Sequence, residues 1–179
     1  IYPTMPAGAM HFDEWQRRCT ACDGMAALKP RGFTLSGGGD AERLGGARVS
    51  ASFFPLLGVR PELGRSFSSA EDQPGRDHVV VLSDALWRRR FGADPSVIGK
   101  TITLNDAPYV VIGVTPAAFR MPKGHELGDM VTLSPETQLF VPLALTPFEL
   151  SSPGAFDYAV IIRRKAGVTL AQLRDQLDA

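Results

Sequence analysis

The chain has 179 residues, 44% hydrophobic and 21% charged, with 19 basic side chains balancing 19 acidic ones. These fractions exclude intrinsic disorder and a disulfide-stapled miniprotein, and the length suffices for one sizeable core. Zero net charge argues against a nucleic-acid binder, which needs a clustered basic field, and no apolar run approaches the roughly 20 residues that span a bilayer.

In chain order, residues 1–9 carry Pro3, Pro6 and Gly8 and read as irregular. Phe12, Trp15, Cys19, Cys22 and Ala26 fall on one apolar stripe of helical spacing, opposite Asp13, Glu14, Gln16, Arg17 and Arg18, which predicts a helix over Met10 to Met25. Phe33 to Leu35 reads as a short strand, closed by the flexible Gly37-Gly38-Gly39-Asp40, with Ala47 to Ser50 as its antiparallel partner. Ser52 to Gly58 fits one helical turn, because Pro55 is tolerated only in a first turn and Gly58 is a good left-handed terminator. Residues 61–77 form an expected ordered loop.

The β-branched run His78 to Leu82 predicts a strand buried on both faces. Ser83 can cap a helix starting at Asp84, with Leu86, Trp87 and Phe91 on its buried side, Arg88 to Arg90 in its last turn and Gly92 ending it. Thr101 to Leu104 and Tyr109 to Val114, joined through Asn105-Asp106, give a hairpin signal. A long loop is expected over 115–135, then a short strand at Leu139 to Leu143. Phe156, Tyr158, Val160 and Ile162 alternate with Asp157, Ala159, Ile161 and Arg163 as a strand with one aromatic face. Thr169 and Gln172 have capping-box spacing ahead of Leu170, Leu173 and Leu177, so the chain closes on a helix. Strands and helices mix without strict alternation, and the fold class is α+β. Because the chain opens on Ile1-Tyr2-Pro3 without an initiator Met and closes in the body of a helix, it is expected to be a piece of a longer protein.

Several motifs invite chemistry. Cys19-Thr20-Ala21-Cys22 has redox spacing, but a reactive pair opens a helix after a strand, whereas this pair sits late in its predicted helix. A packed pair or an incidental disulfide is the better reading. Zinc would need two further ligands, and His11, His78 and His125 are scattered. Ser83 beside Asp84, with His78 upstream, suggests a hydrolase, yet no G-x-S-x-G elbow is present and Ser83 already has a task as a cap. Asp13-Glu14 and Glu71-Asp72 are neighbours that do not face each other, and read as solvated surface carboxylates. The triple glycine lacks the phosphate-binding pattern, and at most two of the three adjacent arginines share a helix face. No catalytic, cofactor-binding or metal-binding constellation emerges.

The central block is more specific than any of these motifs. Val49-Ser50-Ala51-Ser52-Phe53-Phe54-Pro55-Leu56-Leu57-Gly58-Val59-Arg60-Pro61 runs into Leu63-Gly64-Arg65-Ser66-Phe67. Val81-Leu82-Ser83, Leu86-Trp87-Arg88-Arg89, Phe91-Gly92-Ala93-Asp94-Pro95, Val97-Ile98-Gly99-Lys100, Leu104-Asn105 and Val111-Ile112-Gly113-Val114 with Pro116 follow in order. The series resembles the extracytoplasmic core domain of MacB/FtsX-type ABC transporter permeases. Arg163 to Gln172 looks like that family's lead into its closing helix. Asp106 departs from the usual glycine and Ala166 from the usual proline, both matters of local turn chemistry, and the first 46 residues match more loosely.

The resemblance implies a porter-like α/β part formed by both chain ends, about 1–60 and 137–179, carrying an inserted β-rich sabre-like part, about 61–136. It implies a non-enzymatic periplasmic domain of a cytoplasmic-membrane permease, without cofactor. Its partners would be the permease's own transmembrane helices and a cytoplasmic ABC ATPase, with a periplasmic adaptor or other protein partner and no nucleic acid. The domain would be dimeric in the full transporter and monomeric alone. ATP hydrolysis would move it by mechanotransmission, driving export or extraction of a substrate, or regulation of a partner. Loops 61–77 and 115–135 are the candidate partner surfaces. The alternatives are a hydrolase using Ser83, a thiol enzyme using Cys19 or Cys22, and a free-standing extracytoplasmic binding protein.

Overall fold

A computed structural model describes residues 7–37, 39–122, 137–152 and 157–178. Helix α1 covers Ala9–Arg18, and strands β1 (Cys22–Ser36) and β2 (Glu42–Val49) follow it. A single helical turn α2 (Phe53–Leu56) leads to the two-residue strand β3 (Leu63–Gly64). Next come β4 (Val79–Leu82), α3 (Asp84–Phe91), a 3-10 turn at Pro95–Val97, and the hairpin of β5 (Thr101–Leu104) and β6 (Ala107–Val114). The chain finishes with β7 (Leu139–Pro142), α4 (Pro147–Ser151), β8 (Ala159–Arg164) and α5 (Leu170–Leu177).

Local chemistry explains most boundaries. Ser83 Oγ accepts the Leu86 N–H at 3.1 Å and caps α3, and Gly92 ends it at φ +61°. Asn105 and Asp106 turn the β5–β6 hairpin with φ +49° and +63°, the pair of positive angles that a two-residue turn of matching twist requires. Thr169 and Gln172 form the expected capping box of α5.

The first helix departs from expectation: α1 stops at Arg18 rather than Met25, and Cys22 to Met25 opens strand β1 instead. Met25-Ala26-Ala27-Leu28 has helix-compatible residues, but ladder hydrogen bonds from distant strands override propensity. Met25 to Leu28 pair with β8, and Leu28 to Leu35 with β2. Pro30 is tolerated because β1 pairs only with β2 between Lys29 and Thr34, leaving one edge without a ladder. The expected short strand at Phe33 is thus the end of one 15-residue strand, and its partner begins at Glu42 rather than Ala47. The 61–77 loop is ordered as expected, with β3 inside it. Phe156 and residues 123–135 of the second expected loop lie outside the described residues.

The strands form a circuit that closes on itself. Antiparallel β1–β2 is followed by parallel β2–β7, antiparallel β7–β4, parallel β4–β6, antiparallel β6–β5, and β5 returns to β1 at Leu35 and Ser36. Strand β3 adds to β6, and β8 to β1. Side chains alternate between two cores. Leu44, Val80, Leu82, Val111 and Leu139 meet Leu86 and Trp87 of α3 in one; Ala47, Val49, Val81, Ile112 and Phe140 meet α2 in the other. A third cluster joins α1, β8 and α5 around Phe12, Met25, Ala27 and Tyr158.

Five phenylalanines centre the second core. The Phe54 ring lies 5.3 to 6.0 Å from those of Phe53, Phe67, Phe119 and Phe140, with edge-on or tilted geometry. Phe54 is fully buried. Phe54→Ala is therefore expected to lower unfolding free energy by about 3–5 kcal/mol, as for other large-to-small core changes. Urea titration followed by far-UV circular dichroism reads this as a lower midpoint with an unchanged slope.

Candidate functional site

The two loops expected to meet partners are held by the same aromatic core. Phe67 anchors the 61–77 arm and Phe119 anchors the 115–122 segment, both against Phe54. Lone aromatics in polar loops were the sequence signal for this, but spacing could not pair them.

The arm is also pinned by charge. Asp72 accepts the Ala51 N–H at 2.8 Å and the Ala144 N–H at 2.7 Å, joining the arm to the ends of β2 and β7. Arg65 clasps Glu71 with two bonds of 2.8 and 2.6 Å, and Ser68 donates to the same carboxylate from N and Oγ. The Arg65 hydrogen bond outweighs burial and holds Glu71 at about 2. Glu71 and Asp72 are thus not solvated surface carboxylates, as their adjacency suggested, but two separate ties. Between and beyond them, Ser68 to Ala70 and Gln73 to Arg76 stay exposed at the tip. At Gly64, φ is +69° and an added Cβ would overlap the Ile112 carbonyl, so only glycine lets the arm lie this close to β6.

A cleft of about 440 Å³ opens between the start of α3 and residues 115–121. Leu86, Phe119 and Met121 supply apolar walls, and Arg89 and Arg120 line it with cationic groups. Arg89 pairs with Glu42 at 2.7 Å, and Arg120 donates to the Ala117 and Phe119 carbonyls. Ser83 and Asp84 also line the cleft. Asp84 is bound by Arg88 at 2.9 Å through both oxygens. His78 lies at the other end of β4 from Ser83, about 16 Å away at ~3.3 Å per residue, with its ring against Tyr109. Ser83, Asp84 and His78 therefore form no nucleophile–base pair. Arg88, Arg89 and Arg90 each have a different partner, Arg90 donating to the Asp40 carbonyl.

Cys19 and Cys22 are bonded to each other. Cys19 is the C-cap of α1 and Cys22 opens β1, so neither stands at the helix N-terminus that activates a thiol. Among the described residues no group of three or more His, Cys, Asp and Glu could hold a metal ion, and no helix is long and apolar enough to cross a membrane.

The chain matches the model of the MacB-like periplasmic core domain over residues 3–179. It belongs to that family. The macrolide export ATP-binding/permease protein MacB 1 of Yersinia pestis bv. Antiqua is 28% identical over 99% of this chain, which spans 27% of that protein's length. The corresponding Burkholderia pseudomallei MacB is 33% identical over 48% of the chain and 12% of its own length. The crystallised periplasmic region of MacB from Actinobacillus actinomycetemcomitans shares the fold at TM-score 0.70 and 14% identity, over 97% of this chain and 72% of that one. The extracellular domain of the ABC-type transporter YknZ from Gram-positive bacteria gives 0.65 and 16%, over 95% and 78%. The chain is thus an α+β domain of MacB-like type, as its central block indicated.

Among the described residues the most buried ion pair in this MacB-like domain is Arg48–Glu149, which sequence reading missed because the partners lie 101 positions apart. Arg48 meets Glu149 at 2.6 Å and also donates to the Leu143 carbonyl, while Tyr158 Oη donates to Glu149 at 2.7 Å. Burial pushes the Glu149 carboxyl upward, but the bonds from Arg48, the Thr146 N–H and Tyr158 outweigh it and hold the carboxyl far below its ordinary 4.5. Burial and the Glu149 contact both raise the Tyr158 phenol. A depressed carboxylate stabilises the fold above its unfolded pKa, and that contribution disappears as pH falls through the folded value. Glu149→Gln should therefore cost about 1–3 kcal/mol at pH 7, and its deficit relative to the parent should shrink below about pH 4. Denaturant midpoints measured from pH 7 to pH 2 check both statements.

Proposed function

We propose that this chain is the non-catalytic periplasmic domain of an ABC transporter permease in the cytoplasmic membrane. It couples ATP hydrolysis by a cytoplasmic ATPase to export or extraction of a substrate, or to regulation of a protein partner, through mechanical transmission. The match of nearly the whole chain to the MacB-like periplasmic core domain carries this reading. Relatives that cover 99% of the chain are named as macrolide export ATP-binding/permease proteins, which supports export as the activity.

Mechanical transmission needs a body that moves as a unit and surfaces that a partner can grip. A hydrogen-bonded circuit without a slack strand suits the first need. The arm at 61–77, fixed at its base by Phe67 and Asp72 and exposed at its tip, suits the second. In this reading residues 1–60 and 137–179 are the porter-like part, 61–136 the sabre-like part, and two copies face each other in the assembled transporter. The permease's own transmembrane helices and a periplasmic adaptor complete its set of partners.

The test uses the full-length gene. Reporter fusions at both ends of this segment should place it on the periplasmic side, with spans flanking it. Exchange of the segment for a flexible Gly/Ser linker should leave ATP hydrolysis measurable while abolishing export of the transporter's substrate. Absence of flanking spans would favour a free-standing binding protein, and export at the parental rate after the exchange would sink the mechanical role.

A further inference from the structure

The corner between α1 and β1 is a junction for the C-terminal helix. Its four residues, Cys19 to Cys22, are closed by the disulfide. From this corner the Ala21 N–H donates to Gln176 Oε1 at 2.9 Å, and Thr20 Oγ1 accepts from Gln176 Nε2 at 2.9 Å. The Ala21 carbonyl accepts the Lys165 N–H at 2.9 Å, where β8 leaves the sheet. One turn earlier, Trp15 Nε1 donates to the Leu177 carbonyl at 2.8 Å.

Helix α5 depends on these ties. Over Leu170–Leu177 its one buried residue is Leu173, and Leu177 packs at the edge of the third cluster. Leu170 on the same helix is 47% exposed. The corner therefore fixes a helix that its own apolar face seats only weakly. Both cysteines are half-buried, beside exposed Thr20 and Asp23, and pack at the edge of the third cluster rather than in the two cores on either side of the strand circuit.

We propose that the Cys19–Cys22 disulfide is a redox-controlled staple for α5: its reduction releases the C-terminal helix while the sheet stays folded. A dithiol, protein-borne or small, supplies the two electrons. One of its thiolates attacks a cysteine sulfur and expels the other as thiolate; its second sulfur then closes on the first and releases the remaining cysteine. The dithiol leaves as a disulfide, and its two protons end on Cys19 and Cys22. Opening the ring restores backbone freedom to Thr20 and Ala21, so the donor at Ala21 no longer stands fixed before Gln176. This goes beyond the transport reading and stands whether or not that reading is right.

Hydrogen–deuterium exchange tests it on the 179-residue chain in four forms: oxidised, reduced with dithiothreitol, Cys19→Ser/Cys22→Ser, and oxidised Gln176→Ala. Reduction and the double substitution should each speed exchange over residues 170–178 by roughly tenfold or more, with the amides of β4 and β6 unchanged. Oxidised Gln176→Ala should reproduce the change in α5 alone, and reoxidation should reverse it in the reduced parent. Equal exchange in oxidised and reduced protein would overturn the proposal. So would a rise that spreads to β4 and β6, an α5 undisturbed by Gln176→Ala, or two alkylatable thiols in protein purified without reductant.

Discussion

Strand β1 is the constraint on which the rest of the domain depends. Over 15 residues it pairs with β8, then β2, then β5, and it contributes to every hydrophobic cluster in turn. Met25 and Ala27 enter the cluster beneath α1, Ala26 and Leu28 the core under α2, and Phe33 and Leu35 the core under α3. A strand with neighbours on both edges and packing on both faces cannot slip by one residue without moving all three clusters to the wrong side. Gly46 answers this crowding: an added Cβ there would press on Phe33 and Leu139.

The polar ties follow the same plan. Arg48 on β2 reaches Glu149 on α4, whose carboxylate also receives Tyr158 at the entry to β8, so one ion pair spans β2, the β7–α4 connection and the third cluster. Both partners are largely withdrawn from water, with side-chain exposures of 14% and 19%. Breaking such a pair by removing one member leaves a buried charge without its complement, which costs more than the intact pair contributes. Asp72 does similar work with backbone N–H groups alone, fixing the arm without an opposing charge. The surface pairs on α1, Arg17 with Asp13 and Arg18 with Glu14, are exposed i,i+4 contacts and contribute far less.

A domain so connected suits the proposed transmission of force. Its loops are anchored by aromatic side chains at their bases, which leaves their tips free to be read by a partner. The Ser83 hydroxyl, the natural nucleophile candidate, is spent on a helix cap, and the cysteines are spent on each other.

The sequence by itself determined the local pieces and the family. The cap at Ser83, the terminator at Gly92, the Asn105-Asp106 turn and the Thr169–Gln172 box are decided by interactions within a few residues, so each was legible in place. The ordered string from Val49 to Pro116 carried membership because many such local choices recur together. Only the tertiary structure decided what Cys22 to Leu28 would become, because Met25 to Leu28 suit a helix and the hydrogen bonds that make the segment a strand come from β8 and β2. The same reason hid the closure of the sheet, the meeting of Phe67 and Phe119 at Phe54, and the Arg48–Glu149 pair. Each is a contact between distant positions, and a pattern read along one chain contains periods and spacings but no distances across space.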